Sequence, residues 1–343
     1  MFGATRASDA CILLQAANLC VGLLVAVRLK RLARALHAAP RVGSDDARVE
    51  APRRPRVTTF DDMNAADLAY DRPVITVGDD ATPDEVLAAM TSASVSCAIM
   101  HSSADAVAVV DLTDVTVFML RPNVSGIADE HHARVRSAEF VSGTQPMLHV
   151  LRSMCDRSAR YAAVRNLDGT VGIVSQGAVV RFLLDREGYA PVFAQTLSEC
   201  KLGVRESVLS YPADANVRDA FRQMLNHNIT SVPLTDRAGA VLAIMSVSDI
   251  KLFAHTAESD RAEALALSSI EFLRRSRASV ARNGDRPYRE VGDLVTFQLH
   301  ETLGVVLRRM VDANVHHIYS LGHGKTVVGV VSFIDVLRYV LSC

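Results

Sequence analysis

Tryptophan is absent from the 343 residues, and aromatic side chains together make up 5%. That leaves few stacking faces for single-stranded nucleic acid, whose bases bind aromatic platforms. Excess charge is missing too. Thirty-seven Lys and Arg face 38 Asp and Glu, for a formal net charge of −1, so no broad basic field points to a polyanionic partner. The six cysteines (Cys11, Cys20, Cys97, Cys155, Cys200 and Cys343) include no CxxC pair and no Cys–His cluster at zinc spacing. They read as reduced thiols of an intracellular, cytoplasmic protein. Catalytic signatures are lacking as well: no G-x-S-x-G, H-E-x-x-H, G-x-x-x-x-G-K-[ST], H-R-D or D-F-G string occurs. An enzyme is therefore not expected, and any kinase activity would have to come from a partner chain. His131–His132 lies in a polar stretch without matching Cys or His spacing, so no metal site is expected either.

What is present is ample core material: 49% hydrophobic and 22% charged residues, an ordinary globular balance. Residues 1–39 form an apolar and basic N-terminal segment, expected to be helical. Cys11 to Val27 is apolar apart from Gln15 and Asn18, and is followed by Arg28, Lys30, Arg31 and Arg34. Three readings stay open. The segment is long enough for a marginal membrane anchor with the arginines in the cytosol. It is Arg-rich enough for an organelle presequence. It is also compatible with a helix packed on the body of the protein. Residues 40–57 are rich in Pro, Arg and Asp and read as a solvated linker.

From residue 58 onward the chain repeats itself. Each copy has an amphipathic helix, an apolar strand, a turn, a second apolar strand and another helix. In the fourth copy TLGVVLRRMVDA leads to HHIYSL, a turn at GHGK, TVVGVVS and IDVLRYVLS. In the third, VRDAFRQMLNHN leads to ITSVPLTD, RAGA, VLAIMS and VSDIKLFAH. The second runs MLHVLRSMCDRS, YAAVRN, LDGT, VGIVS and GAVVRFLL, and the first PDEVLAAMTSAS, VSCAIMH, SSAD, AVAVVD and DVTVFML. The copies occupy 58–122, 123–190, 191–256 and 291–343, and residues 257–290 (EALALSSIEFLRRSR, then NGDRPY) form a helical connector. Such recurrence describes a repeat architecture of α/β (α+β) class rather than one enzyme fold.

Three copies end their second strand in a polar residue with Asp three positions later: DLTD (Asp111–Asp114), SVSD (Ser246–Asp249) and SFID (Ser332–Asp335). The second copy has SQGA, ending at Ala178. Two readings compete. The spacing is that of a helix capping box, which satisfies orphan backbone amides. A carboxylate at a helix start, beside a strand end, can also accept hydrogen bonds from the two hydroxyls of a ribose, while neighbouring amides and hydroxyls meet polar parts of a nucleotide.

These units resemble the cystathionine-β-synthase (CBS) domain, a β-α-β-β-α module with a G-x-x-[ST]-x-x-D end whose tandem pairs bind adenosyl ligands. The strings NITSVPLTD, LHETL, RMVDANVHHIY and GVVSFIDVLRYVL resemble, more narrowly, the γ regulatory subunit of AMP-activated protein kinase. The resemblance covers about residues 58–343 and is strongest in the third and fourth copies. It implies four CBS repeats in two tandem pairs forming a flat disc, a non-catalytic subunit with α-type catalytic and β-type scaffold partners, and AMP, ADP or ATP as competing ligands rather than cofactors. Residue by residue it places ribose contacts at Asp114, Asp249 and Asp335. Contacts to phosphate or base fall at Arg160, His316, His317, Thr230, Ser231 and Ser332. This chain departs from the pattern at Ala159 and Ala178, where basic residues are expected, and at His317, where the family has arginine. Val204 and Ser207 likewise replace a threonine and an asparagine. These departures imply weaker, pH-dependent phosphate attraction. They also keep a rival reading open, a CBS scaffold that has lost nucleotide sensing. A transporter's regulatory region fits less well, because one marginal span cannot form a transport pathway.

Overall fold

The computed structural model describes residues 60, 63–69, 74–101, 107–120, 140–205, 207–283 and 290–343. The candidate anchor at 11–27, the linker at 40–57, His131–His132 and most of NGDRPY lie outside them. Among the described residues no helix is long and apolar enough to cross a membrane. The described residues belong to one compact unit, which spans residues 56–343.

A short helix α1 (Ala66–Ala69) precedes the first repeat, which comprises β1 (Thr76–Gly78), α2 (Pro83–Ser92), β2 (Cys97–His101), β3 (Val107–Asp111) and α3 (Leu112–Met119). The second has β4 (Val141–Ser142), α4 (Met147–Asp156), β5 (Tyr161–Arg165), β6 (Val171–Ser175) and α5 (Gln176–Leu184), and is followed by α6 (Ala190–Phe193). The third has β7 (Tyr211–Pro212), α7 (Val217–Asn226), β8 (Ser231–Thr235), β9 (Val241–Ser246) and a 3₁₀ helix over Val247–His255. Two connector helices follow, α8 (Glu258–Ala266) and α9 (Ser269–Asn283). The fourth repeat has α10 (Leu303–Asp312), β10 (His317–Leu321), β11 (Val327–Ser332) and α11 (Phe333–Ser342). Each of the first three repeats builds a three-stranded sheet in which the first strand is parallel to the second and the third antiparallel to it. In the fourth the first strand is reduced to a parallel bridge, Thr296 to Tyr319. The repeat pattern expected from the sequence is therefore the observed one, with two refinements: VSDIKLFAH forms the 3₁₀ helix, and the connector helix breaks at Leu267–Ser268.

A single local device sets the register of all four copies. The first long helix of each repeat ends at a residue with positive φ: Ser94 (53°), Ser158 (54°), Asn228 (51°) and Asn314 (50°). The next N–H then reaches back to a buried methionine carbonyl, giving Val95 to Met90 (2.9 Å), Ala159 to Met154 (2.8 Å), Ile229 to Met224 (2.9 Å) and Val315 to Met310 (2.9 Å). A left-handed residue closing the last turn in this way satisfies orphan carbonyls and turns the chain sharply into the strand.

Two cores form, and neither follows chain order. Helices of the first repeat pack against the third, burying Leu87, Met90, Phe118, Phe221 and Phe253. Helices of the second pack against the fourth, burying Leu151, Met154, Leu183, Leu307 and Leu337. Neighbours in sequence meet instead through their strands, with β3 against β5 and a Ser231–Tyr319 hydrogen bond joining the third repeat to the fourth. Packing also shifts the boundaries drawn along the chain. Phe60, Met63 and Leu68, at the start of the stretch that precedes the first repeat's sheet, lie in the second core. There the N–H groups of Ala65 and Ala66 bond Gln145 and Gly143. Phe193, Leu197 and Cys200, placed in the third repeat, pack beside the fourth. The connector supplies buried Leu265, Phe272 and Leu273 to the core of the first and third, so it is an integral wall rather than an added strap.

Candidate functional site

The turn that ends each first helix delivers two residues to one place. They are Ser96 and Cys97, Arg160 and Tyr161, Thr230 and Ser231, and His316 and His317 in repeat order. The carbonyl of the first of each pair accepts the N–H that follows the helix cap: Ser96 from Leu112 (3.2 Å), Arg160 from Gln176 (3.1 Å), Thr230 from Val247 (2.9 Å) and His316 from Phe333 (3.2 Å). Every repeat thereby sets a strand-start side chain beside its cap residue, respectively Asp111, Ser175, Ser246 and Ser332.

These elements surround two cavities that share lining residues. One, of about 310 Å³, is lined by residues from all four repeats and by α9. The other, of about 460 Å³, opens between the second, third and fourth repeats. Arg160, Tyr161, Thr230, Ser231, His316 and His317 line both and form the seam. Asp249 faces the central cavity; Asp335 and Ser332 face the second. Asp114 lines neither, and its place on the central wall is taken by the cap residue Asp111.

The capping and ligand readings turn out to be compatible, because a carboxylate has two oxygens. The Ser332 N–H and hydroxyl both donate to Asp335 Oδ2 (2.9 and 2.5 Å). Its other oxygen, Oδ1, accepts from Arg205 Nη2 at 3.0 Å. The Ser246 N–H donates to Asp249 Oδ2 (2.7 Å), while the Ser276 hydroxyl of α9 approaches Oδ1 at 3.5 Å. Burial pushes the Asp249 carboxyl above its ordinary value, opposed by the Ser246 N–H and the Arg277 guanidinium. In the first repeat the Asp111 N–H donates to Asp114 Oδ2 (2.8 Å). Asp111 itself is 8% exposed and pairs with Arg160 Nη2 at 2.8 Å. Burial and the Asp114 charge raise its pKa, and Arg160 opposes that rise.

Arg160 is thus engaged across the boundary between the first two repeats. The Ser231 hydroxyl is buried and bonded to Tyr319 Oη at 2.8 Å. His317 is held down to about pH 4 mainly by burial, with Asp335 opposing and Arg160 reinforcing the shift. In the unliganded protein it is neutral at pH 6 and pH 8 alike, so the pH dependence expected over that range is not carried by this side chain alone. His316, at the seam, packs edge-on against Phe333 with ring centroids 5.4 Å apart.

Besides Asp111 and Tyr161, four further residues of the site carry no mark in the sequence. Lys251 Nζ donates to the Val95 carbonyl (2.7 Å), and Arg277 Nη2 to that of Ile244 (3.1 Å); both line the central cavity. Arg205 and Tyr319 line the second. The Cys97 thiol also faces the central cavity, but burial and the Asp111 charge push it up to about 12, too high for a nucleophile at neutral pH. Among the described residues no group of three or more His, Cys, Asp or Glu could hold a metal ion.

A family model described as CBS domain matches residues 201–255 and 290–342, the third and fourth repeats. Protein sds23 of Botryotinia fuckeliana is 32% identical over 90 residues, spanning 25% of this chain and 18% of that protein. Its counterpart from Sclerotinia sclerotiorum is 31% identical over 90 residues, or 16% of its own length. This chain therefore spans less than a fifth of the relatives it matches. A crystal structure from Methanocaldococcus jannaschii, protein MJ1225, offered as an archaeal homolog of γ-AMPK, superimposes with a TM-score of 0.64. It is 15% identical and covers 81% of this chain and all of its own. An uncharacterized conserved protein from Pyrococcus horikoshii gives a TM-score of 0.50 at 14% identity, over 81% of this chain and all of its own.

Proposed function

We propose that this chain, whose third and fourth repeats match the CBS-domain model and whose fold superimposes on MJ1225, is a non-catalytic regulatory subunit that binds AMP, ADP or ATP between its repeats. The observation that carries this reading is the seam. Thr230, His316 and His317 sit between Asp249 on one cavity and Asp335 on the other, so one ligand can reach a ribose-accepting carboxylate and polar strand ends together. Phosphates lying in the central cavity meet Arg160, Lys251 and Arg277, three cations contributed by different parts of the chain. Occupancy would then bias a kinase catalytic chain and a β-type scaffold chain, provided the ligand distinguishes two states of the complex. The second repeat, with Ala178 where a basic residue is expected, contributes Arg160, Tyr161 and Ser175 to the walls.

A second reading rests on a specific observation too. Asp335, Arg160 and Ser231 all have internal partners, Arg205, Asp111 and Tyr319. A scaffold that has traded ligands for internal bonds would look like this. Thermal melting with millimolar AMP, ADP and ATP separates the two, since a ligand that binds only the folded state must raise the transition. A rise of several degrees with at least one nucleotide is expected, and no rise with any of them supports the scaffold. Co-purification from cells tests the partner half: a kinase catalytic chain is the expected companion.

A further inference from the structure

Arg205 occupies an unexpected position for a site meant to receive a plain ribose. Its guanidinium sits 3.0 Å from Asp335 Oδ1, the carboxylate oxygen that the helix cap leaves over for a ligand. The placement is built rather than incidental. Gly203, two residues earlier, adopts φ +88°, and its carbonyl lies so close to Gly329 on β11 that a Cβ there would sit 1.6 Å away. This close approach pins the segment bearing Arg205 against the strand that leads to Asp335. Asp335 is 18% exposed, whereas Arg205 is 52% exposed and lines the mouth of the 460 Å³ cavity.

We propose that Arg205 makes this cavity selective for nucleotides carrying a phosphate on the ribose 2′ or 3′ oxygen. The inference rests on the nucleotide-binding reading above and narrows it. A bare ribose must displace Arg205 from Oδ1 or share the oxygen with it. A ribose bearing a phosphate brings its own counter-charge. The guanidinium then turns its fork to the phosphate while Asp335 retains the remaining hydroxyl. A guanidinium binds such a group with two parallel hydrogen bonds, which a lysine at this position would not reproduce. In dinucleotide-binding folds an acid takes a plain ribose hydroxyl and an arginine accommodates a 2′-phosphate; here both groups stand side by side. Because Arg205 is half-exposed, turning it costs little.

Titration calorimetry of the full chain with 5′-AMP, adenosine 2′,5′-bisphosphate and adenosine 3′,5′-bisphosphate tests this. One of the bisphosphates is expected to bind about tenfold more tightly than 5′-AMP. In Arg205→Thr that preference should vanish or invert, since Asp335 then faces the added phosphate alone, while Arg205→Lys should restore only part of it. Equal or weaker binding of both bisphosphates by the wild type, with 5′-AMP still bound, overturns the inference and leaves the nucleotide reading standing. A preference that survives Arg205→Thr overturns it as well. Failure of all three ligands to bind removes both. Unchanged melting of the unliganded variants shows that the fold is retained.

Discussion

The boundary between the first and second repeats and that between the third and fourth use the same repeat geometry to opposite ends. Between the first and second repeats, Asp111 is 8% exposed and Arg160 closes onto it, so the ion pair acts as a fixed seam. Between the third and fourth the pair is looser: the side chains of Arg205 and Asp335 are 52% and 18% exposed, against 33% and 12% for Arg160 and Asp111. A half-exposed arginine turns away at little cost, whereas a more deeply buried carboxylate stripped of its partner is costly. One cap substitution accounts for the contrast. Asp111 stands where the other repeats have Ser175, Ser246 and Ser332, and it pairs with an arginine that also lines the cavity. The structure thus places stability in the first pair and exchangeable contacts in the second.

The most drastic way to break this division is Gly329→Ala. Its Cβ would collide with the Gly203 backbone, so a loss of roughly 3 kcal/mol or more is expected in denaturant unfolding, together with displacement of Arg205. Next comes Arg160→Ala, which strands Asp111. The expected cost is roughly 2–3 kcal/mol at pH 8, below the figure for fully buried pairs because Arg160 is 33% exposed. The sign of its pH dependence follows from the raised pKa of Asp111: the folded state holds the proton more tightly than the unfolded one, so acid relieves the strain. The deficit in melting temperature should therefore shrink at pH 5, and a constant deficit would show that Asp111 stays solvated.

His317 works in the other direction. Its folded pKa of about 4 lies below the unfolded value of 6.5, so the unfolded chain binds more protons between those pH values. Its contribution is complete above pH 6.5 and is lost as pH falls towards 4. Relative to wild type, His317→Gln should gain on the order of 1–2 kcal/mol between pH 7 and pH 5, judged by paired melting curves. Parallel curves would mean that the imidazole is already hydrated. Arg205→Thr is expected to change stability least, by under about 1 kcal/mol, while altering ligand preference. A large loss of stability would erase the contrast between the two boundaries.

Much of this was legible from residues alone. The period of TLGVVLRRMVDA identified a helix whose Leu303, Val306, Leu307 and Met310 are buried. DLTD, SVSD and SFID announced the capping boxes that the structure contains. Contacts between distant positions were not legible, since nothing local marks them. Arg205 meets Asp335 across 130 residues, and Ser231 meets Tyr319 across 88. The role of DLTD was half visible: the sequence showed Asp111 as a cap and Asp114 as the acid, but only packing showed that Asp111 faces the cavity and Asp114 does not. The connector misled for a related reason. Its helices are polar overall, and the few apolar residues that matter, Phe272 and Leu273, are buried by a core assembled from elsewhere.

The central claim is that the third and fourth repeats hold an exchangeable nucleotide site around Asp335. Titration calorimetry of AMP, ADP and ATP into the wild type and Asp335→Asn tests it most directly, because asparagine can keep the cap while removing the charge. The account predicts saturable binding of at least one nucleotide to the wild type, and about tenfold or greater weakening in a variant that still melts cooperatively. Absence of binding at millimolar nucleotide, or equal affinity in the two proteins, would contradict it.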